Sequence, residues 1–337
     1  MKKITNALCS IILMLSSFVA TAQDYTINSK KYEFEKKKTY EKSYSIVATD
    51  KIRIENKFGF VHINVWDKAE IKMTVEIEVS SNKEEWANEI LNKIEIIDKK
   101  TSGNVSFITK LDGGNNYGNN RKNMSNNMQI NMTVYLPANN PLVLKNEFGP
   151  ITMPDFNGLL DVESKFGSLT AGKLTNIESI NIEFGKANLK SLTNADAVFK
   201  FSKIEIDNLI GKNNLKFEFC NSSKVNLTNE ITSLNIAESY STLNLKPTSD
   251  FSADYNIKTS FGSLKNRTSI KFQRTDEESK YADNDKEYEG QSGNGACKVK
   301  IKSSFGKIIL GEPTADEMED KKEKKRKKES DSDGVEI

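Results

Sequence analysis

Apolar residues alternate with polar ones in short double runs, and the same double run returns along most of the chain. With an aromatic residue taken as position zero, apolar residues fall six and four places before it. Examples are Ile52 and Ile54, Leu142 and Leu144, Leu160 and Val162, Tyr255 and Ile257, and Val299 and Ile301. They return three and five places after it, as Val61 and Ile63, Ile151 and Met153, Leu169 and Ala171, Ala187 and Leu189, and Ile308 and Leu310. Spacing by two on both sides is strand periodicity, with alternate side chains on one face. A third apolar position follows at plus eight, as Phe156, Leu174 and Leu192. Position zero is usually Phe followed by Gly: Phe58-Gly59, Phe148-Gly149, Phe166-Gly167, Phe184-Gly185, Phe261-Gly262 and Phe305-Gly306.

Each unit therefore reads as strand, Phe-Gly corner, strand, short third segment and a turn. The turns carry Asn157-Gly158, Thr175-Asn176, Thr193-Asn194 and Thr228-Asn229. One such rung cannot bury its own apolar face, so rungs must stack at roughly 4.8 Å, and a fixed period near 20 residues marks such stacking. The expected fold is mainly β: a parallel β-solenoid of about 18–21-residue rungs, preceded by a β-rich region with one α-helix. Gly is expected to take the positive φ of the corner. Phe148, Phe166, Phe184 and Phe201 are expected to form an aromatic ladder. Exposed aromatics can stack on sugar rings, but such platforms use Trp or Tyr with a polar handle. Phe has none, so the ladder is expected inside. Phe201-Ser202 and Tyr240-Ser241 continue the frame, with Ser suggesting a relaxed corner or a displaced rung. Residues 215–227 fit worst, although Leu215, Phe217 and Phe219 alternate.

The remaining segments divide the chain. Residues 1–22 read as a signal peptide: Lys2 and Lys3, an apolar core, and a small-residue cleavage site that ends at Ala22 and makes Gln23 the first mature residue. Residues 23–42 read as a flexible lead-in. Residues 43–137 form the β-rich region, with strict alternation at Ile71, Met73, Val75, Ile77 and Val79. Its helix carries Trp86, Ile90, Leu91 and Ile94 on one face, with Ser81 and Glu84 as a capping box. Residues 138–311 form the repeats, with a polar insertion at about 268–295. The charged tail 312–337 should be disordered. An Asn- and Gly-rich loop at 111–127 reads as a binding loop or a solvated hairpin excursion.

Charge adds little. The 337 residues carry a net charge of +2, and removal of Lys2 and Lys3 brings it to zero. A neutral chain has no global electrostatic footprint for nucleic acid. No stretch after the signal has about 18 consecutive apolar residues, so no transmembrane helix is expected. Cys220 and Cys297 remain after cleavage; two lone cysteines are no disulfide framework, and two small buried residues are the simpler reading.

The order of motifs from about Ile52 to Leu310 resembles the bacterial putative-adhesin family, a domain family of unknown function. The resemblance rests on Glu55-Asn56-Lys57-Phe58-Gly59, on Val61-His62-Ile63-Asn64-Val65-Trp66-Asp67, on the helix with Trp86, on Thr133-Val134-Tyr135-Leu136-Pro137, and on the Phe-Gly rungs. Phe before Gly marks a variant, because the family shows a less bulky polar residue there. The resemblance implies a β-solenoid that is exported, repetitive and non-catalytic. The Thr-Ala-Gln at the end of the signal resembles Bacteroidetes-type export signals, which implies a Gram-negative envelope.

Candidate chemistry is sparse. His62 is the only histidine, which excludes a metal site of several histidines and any Ser-His or Cys-His pair without it. Asp283, Asp285 and Glu287 alternate and could gather around Ca²⁺, but a solubilising loop explains them as well. Asp161, Glu163, Glu183, Glu205 and Asp207 lie on strands among lysines and read equally as a solvated face. No catalytic residue and no cofactor are assigned. The sequence points to an exported, adhesin-like interaction protein of the periplasm, outer-membrane surface or exterior. Its expected partner is an envelope protein or glycan. The alternatives are a carbohydrate-active enzyme on a β-helix scaffold and a periplasmic partner in envelope-stress signalling.

Overall fold

The computed structural model describes residues 32–112, 126–275 and 284–314. The chain is mainly β, with one α-helix, Glu84–Lys93, among the described residues. The 18-residue spacing of the sequence appears as a register of parallel pairing. Strand Leu160–Lys165 lies between Leu142–Glu147 and Ile177–Glu183, so that Leu144, Val162 and Ile180 stand side by side. Strands Asp196–Lys200, Leu209–Glu218 and Ile231–Ser239 extend this first ladder in chain order. A second parallel ladder runs through Pro150–Met153, Ser168–Leu174, Lys186–Thr193, Lys203–Ile206, Ser223–Leu227 and Thr242–Pro247. The chain alternates between the two ladders, crossing at each aromatic corner.

Both ladders turn alternate side chains into one core. Val162, Ile180, Ile182, Phe199 and Phe217 from the first, and Leu169, Leu189, Ile204 and Val225 from the second, are at most 2 % exposed. The third apolar positions, Phe156, Leu174 and Leu192, are fully buried as well. In one rung, Leu160, Val162, Leu169 and Leu174 each contribute ~2 kcal/mol of burial.

At both ends the spatial order departs from the chain order. Cys297–Ser304 inserts in parallel between Ile231–Ser239 and Ala253–Ser260. Lys307–Leu310 inserts likewise between Thr242–Pro247 and Ser263–Asn266. The last rung in sequence is thus the penultimate one in space. At the other end, Lys51–Lys57 lies between Asn104–Leu111 and Leu142–Glu147, and Val61–Val65 lies between Asn126–Leu136 and Pro150–Met153.

Antiparallel strands finish the ladders. Glu70–Ser81 pairs with Asn126–Leu136, Phe34–Ser45 covers Glu70–Ser81, and Ile94–Thr101 covers Asn104–Leu111. At the far end Asp285–Ser292 pairs with Ala253–Ser260 and with Phe272–Arg274. The outermost Phe34–Ser45 reads FEKKKTYEKSYS, and its lysines and glutamates discourage strand-on-strand association.

Two local expectations are corrected. Residues 23–42 read as a flexible lead-in, yet the strand Phe34–Ser45 begins within them; its outer-edge position needs few apolar residues, so its charge hid it. The capping box is not formed. Ser81 ends the preceding strand and accepts a hydrogen bond from the Lys83 backbone N–H at 3.2 Å, while the N-cap is Lys83 with no side-chain cap. The helix is held instead by burial of Trp86, Ala87 and Ile90. The expectations for residues 1–31, 113–125, 276–283 and 315–337, including the signal peptide, its cleavage at Ala22-Gln23 and the charged tail, lie outside the described residues.

Candidate functional site: an exposed aromatic ladder

At every corner the aromatic residue, and not the glycine, takes the left-handed conformation. Phe58, Phe148, Phe166, Phe184, Phe201, Phe219, Tyr240, Phe261 and Phe305 all have φ between 50° and 63°. This corrects the expectation from sequence, and the reason is steric. Rungs stack so closely at the following position that a Cβ on Gly167 would stand 2.0 Å from the Gly149 carbonyl oxygen, and one on Gly185 2.0 Å from that of Gly167. Glycine is there for close backbone approach. The aromatic backbone N–H meanwhile continues the parallel ladder: Phe166 donates to Glu183 O at 3.0 Å and Phe201 to Glu218 O at 2.8 Å.

The left-handed turn throws each ring outward, which overturns the interior assignment. Phe148, Phe166, Phe184, Phe201, Phe219, Tyr240, Phe305 and Phe261 are 45–57 % exposed. With half-buried Phe58 they form one uninterrupted stack in the spatial order 58, 148, 166, 184, 201, 219, 240, 305, 261. Neighbouring centroids are 4.7–5.1 Å apart and the rings are parallel within 6°. Each inner ring therefore has a ring against both faces, and its outer edge is what solvent meets. Sugar stacking needs a free aromatic face, which only the two end rings keep.

The corners with Ser are not relaxed. Phe201 and Tyr240 keep φ of 50° and 51° and full stacking. The small side chains that replace glycine fit because each one bonds locally. Ser202 Oγ accepts from Gly185 N–H at 3.1 Å and donates to Lys200 O at 2.7 Å. Ser241 Oγ does the same with Cys220 N–H and Ser239 O. Phe219 is a ladder member that the apolar frame does not mark. Its corner carries Cys220, and one additional residue moves the next inward positions to Ser223, Val225 and Leu227, with Ser222 as a second left-handed residue. The signal that could have found it is its distance of 18 residues from Phe201 and 21 from Tyr240.

Charges flank the stack. In the first ladder the residue before each aromatic stands in one column, read by register as Lys57, Glu147, Lys165, Glu183, Lys200 and Glu218, then Ser239, Ser304 and Ser260. Neighbours in the column pair: Lys57 with Glu147 at 3.2 Å, and Glu183 with both Lys165 and Lys200 at 3.8 Å. Glu163, in the next outward column, lies 2.6 Å from Lys145 and 2.8 Å from Lys165, whose contacts hold its carboxyl below the usual range.

Beneath the corner, two places behind each aromatic, a second column is buried. Near one end Asn146 Nδ2 donates to the carbonyls of Gly59 and Gly149, each at 2.9 Å. Near the other end stands Glu238, beside Ser303 and Thr259 in register. Glu238 Oε1 accepts from the Ser241 backbone N–H at 2.7 Å, and Oε2 is buried without a hydrogen-bond partner. Gly306 makes room for this carboxyl, because a Cβ there would overlap it. Burial pushes the Glu238 carboxyl up to about 7, and the Ser241 N–H only partly offsets that.

Where the ladder begins, a cleft of about 1110 Å³ opens beside Phe58 and Phe148, with Ile90, Ile97, Ile108 and Met128 in its wall. It extends the apolar strip sideways.

The other residues singled out by sequence do not converge. His62 is exposed, 2.5 Å from Thr152 Oγ1 and 3.1 Å from Asn64 Oδ1. Asp283 lies outside the described residues. Asp285 and Glu287 share a strand, and Glu287 is held by Lys258 at 2.9 Å and Asn256 at 3.0 Å. Among the described residues no three His, Cys, Asp or Glu side chains gather as a metal cluster. Glu205 faces Lys224 at 3.9 Å, and Asp161 accepts from Ser179 Oγ at 2.5 Å. Cys220 and Cys297 are buried free thiols, and burial pushes both up to about 11. No helix among the described residues is long and apolar enough to cross a membrane.

Compared with known proteins, the chain matches no family model and no curated sequence. Solved structures similar to it include a putative cell adhesion protein from Clostridium sporogenes, at 15 % identity and a TM-score of 0.25, covering 82 % of this chain and 100 % of that one. A putative adhesin from Bacteroides fragilis aligns at 11 % identity and a TM-score of 0.36, over 81 % of this chain and 97 % of that one. A putative lipid binding protein from Parabacteroides distasonis aligns at 12 % identity and a TM-score of 0.34, over the same shares.

Proposed function

We propose that this chain is an exported, non-catalytic interaction protein of the cell envelope, a parallel β-solenoid whose aromatic strip is its contact surface. The solenoid reading is supported by the two parallel ladders and their 17- to 21-residue offsets between successive aromatics from Phe148 to Tyr240. Export is supported by the basic and apolar N-terminus with its small-residue site at Ala22.

One observation carries the contact surface: nine stacked aromatics held in a backbone conformation that bulky residues avoid, with their edges in water. A left-handed L-residue costs roughly 1–2 kcal/mol, and Asn or Gly would meet the corner at lower cost. Exposed apolar strips of this extent on a solvated protein mark interaction sites. Stacking between neighbours returns ~0.5–1.5 kcal/mol per pair, which sustains the ladder against the backbone cost of each corner. The carboxylates on the outer faces are tied to lysines, which favours a solvated scaffold over a hydrolytic centre.

The test is retention on isolated envelopes. Wild type is compared with a triple variant, Phe166→Asn, Phe184→Asn and Phe201→Asn, which keeps residues tolerant of positive φ. Wild type should sediment with envelopes and be cut by protease added to intact cells, and the variant should remain in the supernatant. Equal retention of both would refute the strip as the contact surface.

A further inference from the structure

We propose that the aromatic strip binds a second copy of this chain, with the two ladders antiparallel about a two-fold axis between Phe166 and Phe184. The inference rests on the reading of the strip as a contact surface and names its occupant.

Two features of the strip restrict what fits it. The rings offer edges and not faces, so a ligand that stacks on one ring face is not matched along the strip. What is matched is an equally long, straight and apolar row. The charge column beside the rings then sets direction. From Phe58 to Phe219 it reads Lys57, Glu147, Lys165, Glu183, Lys200, Glu218, alternating in sign at every step. The alternation arises within one chain from pairing between neighbouring rungs. Its consequence is a row that is its own complement when reversed.

Two strips placed face to face by a two-fold axis perpendicular to the ladder bring this column against itself in opposite order. Lys165 then meets Glu183 of the second copy, Glu147 meets Lys200, and Lys57 meets Glu218, each contact occurring twice by symmetry. The column on the other side of the rings agrees with this arrangement. It holds Pro150, Ser168, Lys186 and Lys203 in register. Reversed about the same axis, Lys186 faces Ser168 and Lys203 faces Pro150, so no like charges meet. In the parallel alternative each charge column faces the opposite rim, and Lys200 falls against Lys203. Only the antiparallel arrangement is free of repulsion.

The area is sufficient. Six half-exposed rings offer on the order of 100 Å² each, or on the order of 600 Å² per copy before the flanking charges are counted. That reaches the lower range of stable interfaces, about 1,200 Å² over both partners. Ring edges supply most of the affinity through apolar burial, and the partly exposed charges supply direction.

The experiment uses two full mature chains, Lys165→Glu and Glu183→Lys, each keeping every ring. Alone, each variant sets like charges together twice about the axis and should weaken self-association tenfold or more. Mixed in equal amounts, the two variants restore the match. The carboxylate introduced at position 165 of one chain meets the ammonium introduced at position 183 of the other. The first chain's unchanged Glu183 meets the second chain's unchanged Lys165, so opposite charges face at both contacts. Sedimentation velocity should show wild type as a dimer at high micromolar concentration, each variant shifted to monomer, and the mixture returned to dimer. Wild type that stays monomeric, or a mixture that stays monomeric, overturns the inference. If wild type is monomeric while the triple Asn variant still loses envelope retention, the contact surface stands and its occupant is not a second copy.

Discussion

Replacing Phe166 in a graded series separates an outward ladder from a buried one. Phe166 is half-exposed, so its ring buries on the order of 100 Å² against its neighbours. At ~25 cal/mol per Å² that is about 2.5 kcal/mol. It also stacks on Phe148 at 5.0 Å and on Phe184 at 4.9 Å, each contact adding ~0.5–1.5 kcal/mol. The denatured chain already buries part of this surface, which lowers the sum. Phe166→Ala should therefore cost about 3 kcal/mol. Phe166→Asn loses the same contacts but regains about 1 kcal/mol, because Asn tolerates a φ of 53° better than Ala. The expected order of stability is wild type, then Asn, then Ala. In a core the order of the two variants would reverse, since Asn would bring an unpaired amide into apolar surroundings. Urea denaturation of the mature chain, followed by far-UV circular dichroism, reads the midpoints, with an unchanged slope required for the comparison. Asn less stable than Ala, or Ala as stable as wild type, would refute the outward ladder.

The other expectations concern the corner, the buried carboxyl and the thiols. Gly167→Ala must displace backbone against Gly149 and should cost about 1–3 kcal/mol, whereas Gly103→Ala meets no atom within 4 Å and should cost only the strain of its positive φ; equal midpoints would contradict the close approach. Glu238 has a folded pKa of about 7 against an ordinary 4.5, so its stabilising effect is complete below 4.5 and is lost as pH rises through 7. At ~1.4 kcal/mol per tenfold change in proton affinity, that loss is about 3 kcal/mol. Glu238→Gln should flatten the fall in urea midpoint between about pH 5 and pH 8; a fall as steep as in wild type would show that another group causes it. Cys220 and Cys297 should resist iodoacetamide at about pH 8 in the native chain and react in denaturant, and a disulfide in the unreduced mass would contradict two buried free thiols.

Much of this architecture is legible in the alternation of apolar residues. Leu160, Val162, Leu169, Ala171 and Leu174 define a rung by their spacing alone, and they line the core. The direction of the aromatic is not legible in the same way. Phe and Gly are adjacent, and periodicity cannot say which of the two takes the left-handed φ; that choice flips the ring between core and solvent. The close contact between Gly149 and Gly167 decides it, and a contact between successive rungs leaves no mark in a single rung's sequence. Phe219 is hidden for a related reason, because one additional residue at its corner moves the apolar frame behind it. The charge column is visible in sequence only as separate lysines and glutamates. Its order along the strip depends on Lys57 standing next to Glu147, ninety positions away, which is a fact of pairing.

The insertion of Cys297–Ser304 between Ile231–Ser239 and Ala253–Ser260 has a consequence for biogenesis. The chain cannot simply wind up rung by rung from its N-terminus as it is made. Two strands must wait, with a slot between them, for a segment some forty residues further on. Until that segment arrives, Glu238 lacks Gly306 beside it and Tyr240 lacks its neighbour Phe305. Assembly is thus tied to arrival of the last strands, and a product cut before Cys297 would leave four unpaired strand edges, on Ile231–Ser239, Ala253–Ser260, Thr242–Pro247 and Ser263–Asn266. Such unpaired edges invite strand addition from other chains, and the late-arriving strands are what close them.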